Sequence, residues 1–167
     1  MSGSSLAVIR ADHIGLTVPD LDAAVAFYTD AFDARELFRM GPFDAAELPR
    51  SADGRDWTET HVNVPDARLR FAVLQLAPGL RLELFAYERP ADGRTNAPQN
   101  CDVGGHHLAL RVEDLDTATD LLRGRGVTVL EPIVVDEGPM AGTRSAYTVD
   151  PWGNHIELVE YTTAVAD

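Results

Sequence analysis

The chain has 167 residues, enough for one domain or two fused half-domains around a real core. Hydrophobic residues make up 45% and charged residues 25%, which argues against long disordered tracts. The formal net charge is −13, from 27 acidic and 14 basic residues, and this acidity argues against nucleic acid and anionic membrane surfaces as partners.

The chain opens on MSGSSLAVIRADH, with no basic segment ahead of an apolar run, so a secretion signal is not expected. The first strand follows, with Ile14, Leu16 and Val18 alternating with His13, Gly15 and Thr17. Asp20 or Asp22 can cap the next helix, whose apolar face is Leu21, Ala24, Val25, Tyr28 and Phe32. Strands are predicted at about Ala34 to Met40, Arg68 to Leu76 and Arg81 to Tyr87. Between the first two of these, Pro42 to Thr60 is polar and rich in turn residues. It reads as a surface loop, with a lid or dimer contact as the alternative. Glu88 to Gly105, with its Pro, Gly and Asn, reads as a linker. Leu108, Leu110 and Val112 then alternate, and Leu115, Ala118, Leu121 and Leu122 make a second helix face, ended by Gly124 or Gly126. The last strands are predicted near Val127 to Val135, Arg144 to Asp150 and Asn154 to Tyr161.

The second half repeats the first. HIGLTVPDLDAA from His13 aligns without a gap with HLALRVEDLDTA from His107, 94 positions on. LRLELFAY (Leu80 to Tyr87) aligns with NHIELVEY (Asn154 to Tyr161), 74 positions on, each with a Glu among aliphatic residues and a Tyr four places later. The halves differ by 20 residues, which the Pro42 to Thr60 stretch supplies. The predicted organisation is a βαβββ module over 8–90, a linker over 91–105 and a second βαβββ module over 106–163, an α+β fold.

Strand parity then decides which side chains converge. Leu82 and Leu84 pack inward, leaving Arg81, Glu83 and Phe85 on the other face. Ile156 and Leu158 pack, leaving His155, Glu157 and Val159. Leu108, Leu110 and Val112 pack, leaving His107, Ala109 and Arg111. His13, Glu83, His107 and Glu157 thus share the non-helix face of four strands, with Gly15 and Ala109 leaving room beside each His. Imidazole and carboxylate suit Zn, Mn, Fe, Co or Ni, and two Glu neutralise a divalent charge that would otherwise be missing between them. One strand His alone carries little weight, whereas a quartet matched in repeat and parity points to one divalent metal. His155, Arg111, Phe85 and Arg81 are weaker candidates for a substrate pocket. His106 has the parity of the packing face, and His61 beside the long insertion carries no assignment. Cys101, the only cysteine, excludes an intrachain disulfide and a cysteine-based zinc site, and no neighbour makes it a nucleophile. No stretch approaches the ~20 apolar residues of a membrane helix. The cytoplasm is the expected location.

DHIGLTVPDLDAAVAFY, LRLELFAY, GGHHLALRVEDLD and DPWGNHIELVEY resemble the vicinal oxygen chelate superfamily, which includes glyoxalase I, methylmalonyl-CoA epimerase, extradiol dioxygenases, fosfomycin-resistance proteins and bleomycin-binding proteins. The resemblance runs from about Arg10 to Tyr161 and is most specific at Asp150 to Leu158. It implies paired βαβββ modules forming a cupped mixed sheet around a metal, usually in a homodimer. By position it implies His13, Glu83, His107 and Glu157 as ligands. Glu at position 83 is as in glyoxalase I. Epimerases commonly have Gln there, and dioxygenases use only a His, His, Glu triad, so Glu83 weighs against both. The intact quartet weighs against a pure binding protein.

The leading expectation is a metal-dependent isomerase or lyase of the glyoxalase type, working through an enediolate on a small oxygenated substrate. Glu157 is the first choice of base and Glu83 the second. The alternatives are an iron-dependent ring-cleaving dioxygenase using His13, His107 and Glu157, and a protein that sequesters an antibiotic or other small molecule.

Overall fold

Two short parallel strands, each the first of its half, need a partner that returns from elsewhere in the chain, and in both halves the last strand provides it. In the computed structural model, which describes residues 7–162, the first half runs β1 (His13–Thr17), α1 (Leu21–Phe32), β2 (Arg35–Asp44), α2 (Trp57–Val62), β3 (Arg68–Ala77) and β4 (Leu80–Arg89). The second runs β5 (His107–Arg111), α3 (Leu115–Gly124), β6 (Thr128–Val129), β7 (Ile133–Val135), a 3-10 turn (Gly138–Met140), β8 (Thr143–Val149) and β9 (His155–Tyr161). The contacts divide the chain into two units, one of Asp33–Ala91 with residues up to Thr29, the other from Asp92 onward with Asp30–Phe32. The expected end of the second module at residue 163, and the first six residues of the chain, lie outside the described residues.

The first unit's sheet has the order β1-β4-β3-β2, and the second unit's has β5-β9-β8-β6, with β7 also on β8. In each sheet the first strand is parallel to the last and the remaining pairs are antiparallel. The class is α+β, as the alternation of helix and strand periods predicts.

One face of each sheet is buried with its helix. In the first unit Leu21, Ala24, Val25 and Tyr28 of α1 are buried, as are Ala72, Leu74, Leu82 and Leu84 of the sheet. Each such Leu contributes about 1.5–3 kcal/mol on leaving water. Asp20 caps α1 by accepting from the amides of Asp22 and Ala23, both at 3.0 Å. In the second unit Leu115, Leu122, Ala146, Ile156 and Leu158 form the core. Asp114 caps α3, and Glu160 of β9 accepts from the amide of Leu115 at 3.0 Å while pairing with Arg144 at 3.1 Å.

The DPWGN segment owes its residues to a turn. Asp150, buried, accepts from the amides of Trp152 and Asn154 at 2.9 and 2.7 Å and from the Asn154 side chain at 2.7 Å. This turn joins β8 to β9 and holds the register that sets Tyr147 opposite Glu157.

Several expectations need correction. The polar stretch from Pro42 to Thr60 is not one surface loop. β2 continues through it to Asp44, and α2 begins at Trp57. A bulge between Met40 and Phe43 absorbs Pro42, which has no amide hydrogen to give the ladder. Both ends of the segment are then tied down by buried carboxylates. Asp44 accepts from the Ala46 amide at 2.9 Å and pairs with Arg89 at 2.8 Å and Arg68 at 3.2 Å. Asp56 accepts from the amides of Glu59 and Asp66, both at 2.8 Å, and from the Thr58 hydroxyl at 2.7 Å, while Thr58 accepts from Ala67 at 3.1 Å. Leu121, expected on the packing face of α3, is 48% exposed, and Thr119 is buried in the helix instead. The single strand expected over Val127 to Val135 is two short ones, β6 and β7, both paired with β8. β4 extends to Arg89, past the expected start of the linker.

Gly41 sits in the bulge with φ +99°, and a Cβ there would lie 2.9 Å from the Leu69 carbonyl oxygen and 3.0 Å from Arg70 Cα. Gly41→Ala should lower stability by about 1–3 kcal/mol in urea unfolding. Hydrogen bonds from Asp66, Glu59 and Thr58 hold the Asp56 carboxyl down to about 2, against an ordinary value of 3.8. A carboxyl with a depressed folded-state pKa stabilises above its unfolded value and loses that contribution as pH falls through the folded one. The Tm of the wild type should therefore exceed that of Asp56→Ala at neutral pH, and the gap should close between pH 3.8 and about 2 in a thermal-melt series.

Candidate metal centre and substrate face

Parallel pairing fixes where the His and Glu of each half meet. His13 is level with Arg81 and Gly15 with Glu83; His107 is level with His155 and Ala109 with Glu157. Each Glu thus lies one same-face step beyond its His on the neighbouring strand. The side chains close that step. His13 Nε2 lies 3.3 Å from Glu83 Oε2, and His107 Nε2 lies 3.3 Å from Glu157 Oε2. The repeat read in the sequence has become the same distance twice.

The two pairs differ in their support. In the first unit, His13 Nδ1 is 3.0 Å from Asp12 Oδ1, and Arg81 lies 3.6 Å from the same carboxyl. The hydrogen bond from His13, then Arg81, holds the Asp12 carboxyl below its ordinary value. An imidazole whose Nδ1–H is taken by a carboxylate presents Nε2 as a lone pair. In the second unit the support comes from Tyr147, whose hydroxyl lies 3.5 Å from His107 Nε2 and whose ring meets the His107 ring edge-on at 5.2 Å. Burial, and then the neighbouring Glu157, raises the Tyr147 phenol, so it stays a neutral donor. Tyr87 in the first unit is raised in the same way by burial and Glu83.

The remaining predicted residues fall as follows. Phe85 shares the face of Glu83 and contacts the rings of Phe71 and Tyr87 at 5.5 and 6.4 Å. His155 shares the face of Glu157, edge-on to Tyr147 at 6.2 Å, with its Nδ1 buried and unpartnered among the described residues. Arg111 lies 4.9 Å from the centroid of the Tyr161 ring and lines an open cleft of about 360 Å³ with Val112, Glu113 and Tyr161. His106 is exposed and lies 3.3 Å from the Gly104 carbonyl, outside the strand. Cys101 is exposed.

Some residues of this face were not singled out from sequence. Asp12 and Tyr147 gave no repeat signal, because neither has a counterpart in the other half. Phe43, Phe71 and Trp57 are brought together only by the fold. Trp57 stacks on Phe43 at 5.5 Å and on His61 at 4.7 Å.

Among the described residues no three His, Cys, Asp or Glu side chains gather into a metal-holding group. The pairs taken singly do fit one. Two ligands about 2.0–2.1 Å from a metal lie about 3–3.4 Å apart, and the His–Glu separation in each unit is 3.3 Å. A neutral imidazole beside a carboxylate is also the donor chemistry that zinc, nickel, cobalt, manganese and iron share.

The model of the glyoxalase/bleomycin resistance protein/dioxygenase superfamily matches residues 10–158, and the chain belongs to that superfamily. It is 43% identical over 154 residues to a 2-epi-5-epi-valiolone epimerase from Actinomyces sp, a match covering 90% of this chain and 79% of that protein. With such a relative the chain is an enzyme of the isomerase kind. Solved structures share the fold at lower identity. A glyoxalase family protein from Bacillus cereus aligns with TM-score 0.69 and 20% identity, over 98% of this chain and 99% of that one. A FosX fosfomycin resistance protein mutant from Listeria monocytogenes, complexed with Mn(II) and 1S,2S-dihydroxypropylphosphonic acid, aligns with TM-score 0.56 and 19% identity, over 95% and 94%. Among the described residues no helix is long and apolar enough to cross a membrane.

Proposed function

We propose that this chain is a metal-dependent epimerase of a cyclic polyhydroxy ketone of the valiolone type. The observation that carries the reading is the 43% identity to the valiolone epimerase over 90% of the chain. The His–Glu pair repeated at 3.3 Å in each unit supports it from the chemistry.

Inverting a carbon beside a ketone needs two events. A base removes the proton from that carbon, leaving an enediolate when the carbon bears a hydroxyl. An acid then returns a proton to the same carbon from the opposite side. One carboxylate per half meets this need. Glu157 is assigned the removal and Glu83 the return. The proton taken by Glu157 is replaced by the one given by Glu83, so the substrate keeps its composition, and a Glu protonated in one direction is the acid for the reverse one.

His13, Glu83, His107 and Glu157 would hold one divalent ion, and the ion when bound would supply positive charge to the oxygens on the two adjoining carbons. Glu83 and Glu157 would thus serve both as donors to the ion and as the groups that carry the proton. Asp12 orients the His13 ring through Nδ1. Tyr147, kept neutral, can donate a hydrogen bond to a substrate oxygen near His107. The net charge of −13 suits a substrate without phosphate or carboxylate groups. A homodimer in the cytoplasm completes the proposal.

The test is incubation with 2-epi-5-epi-valiolone in D₂O, followed by proton NMR. The expected result is a new epimer carrying deuterium at the inverted carbon only. An unchanged ketone would overturn the reading, and oxygen uptake would replace it with the dioxygenase. Glu157→Gln should lower kcat by about 10²–10⁴-fold. Chelator treatment should abolish turnover, with recovery on adding Ni, Co, Zn, Mn or Fe, and elemental analysis should identify the resident metal. His107→Ala should lose both metal and activity. Asp12→Asn should weaken Mn(II) affinity by about 10–100-fold in calorimetric titration, because the His13 ring loses its anionic acceptor.

A further inference from the structure

Beside the His13–Glu83 pair stands a cation that the chemistry assigned above does not use. Arg81 is level with His13 across the parallel pairing of β1 and β4, and Glu83 is the next residue of β4 on the same face. A step of two residues along a strand spans about 7 Å, close to the breadth of one hydroxylated ring. A substrate ring reacting at Glu83 therefore reaches Arg81.

We propose that Arg81 is a specificity-determining residue that donates hydrogen bonds to ring hydroxyls of the substrate. The inference rests on the reading of a cyclic polyhydroxy ketone and names the residue that reads its hydroxyls. Three observations support it.

The Arg81 donors are open. Arg39, Arg68, Arg89 and Arg144 each donate to a carboxylate at 2.6–2.8 Å. Arg81 instead lies 3.6 Å from Asp12 Oδ1 and donates no hydrogen bond among the described residues. Its side chain is 42% exposed, next to a His13 side chain that is 47% exposed. A guanidinium carries five N–H donors in a planar fork, and solvent reaches this one.

The guanidinium is also held in place. Asp12 Oδ1 lies 3.0 Å from His13 Nδ1, so the ion pair with Asp12 draws Arg81 toward that side of the imidazole. Nε2 is left to Glu83, at 3.3 Å. The oxygens on the reacting carbons belong at Nε2 and Glu83, and Arg81 is left with hydroxyls farther round the ring. A donor held in advance costs little ordering on binding.

Arginine here is not a requirement of the repeated fold. The second unit puts His155 at the same place, level with His107 and two residues before Glu157. Both halves thus set a nitrogen-bearing side chain beside the metal-ligand candidates, and only the first half supplies a fork. A fork meets the two oxygens of a carboxylate together, and two hydroxyls on adjacent carbons offer it a similar pair. A neutral polyol differs from its deoxy relatives in such hydroxyls, and a site that pairs with one discriminates strongly against the analogue lacking it.

The test compares 2-epi-5-epi-valiolone with its monodeoxy analogues, each lacking one ring hydroxyl remote from the ketone, in the Mn(II)-loaded wild type and in Arg81→Met. Arg81→Met should raise KM for the parent ketone about 10- to 100-fold with kcat little changed. In the wild type at least one analogue should fall behind the parent by a similar factor, and Arg81→Met should erase that gap. Mn(II) affinity in calorimetric titration should stay as in the wild type, in contrast to Asp12→Asn. If Arg81→Met does not fold, Arg81→Lys decides, because it keeps a cation beside Asp12 and loses the fork; the gap should shrink there. Wild-type turnover with KM and the analogue gap unchanged in the variant would overturn the assignment and leave the epimerase reading intact. A loss of Mn(II) affinity matching that of Asp12→Asn would overturn it in favour of a role in holding Asp12. No turnover of the ketone by the wild type would overturn the reading and the assignment together.

Discussion

The parallel pairing of first strand with last, made once in each half, is the constraint on which the functional face depends. It sets Gly15 level with Glu83 and Ala109 level with Glu157. Because side chains alternate along a strand, a slip of one residue would turn each Glu into the core and expose Leu82 or Ile156. The buried leucines therefore protect the chemistry by making that slip costly. Hydrophobic burial fixes register, register fixes the His–Glu distance, and that distance brings together side chains separated by 50 to 70 positions in sequence.

The same dependence explains the DPWGN segment. Its Asp150 is buried and spends its carboxylate on three turn hydrogen bonds. It is the most distinctive stretch of the chain, and what its Asp150 does is structural. Its role is to deliver β9 in register, so that Glu157 faces Tyr147 and His107.

Much of the fold was legible in the residues. β1, α1 and β5 show one period each, α1 with a capping Asp as well, and they fall where those signals put them. The repeat and the strand parity together predict that Glu83 and Glu157 leave the core on the face of their histidines, and each lies 3.3 Å from its His. What was missed has physical causes. Pro42 argues against a strand, and only the bulge that accommodates it lets β2 run on. α2 has six residues, too few to show a helical period. Leu121 lies at the margin of the α3 apolar stripe, where periodicity alone does not tell inside from outside. Asp12 and Tyr147 act on opposite halves without counterparts, so self-comparison was blind to them. The rings of Phe43, Trp57, Phe71 and Phe85 come from β2, α2, β3 and β4, and no local pattern encodes their meeting.

The insertion makes two like halves unlike. α2 is fastened to the start of β3 by the buried Asp56 and Thr58, and among the described residues the second unit has no such helix. The strand register behind each His–Glu distance is common to the two halves, so the first half carries an added element without any change in what it shares with the second.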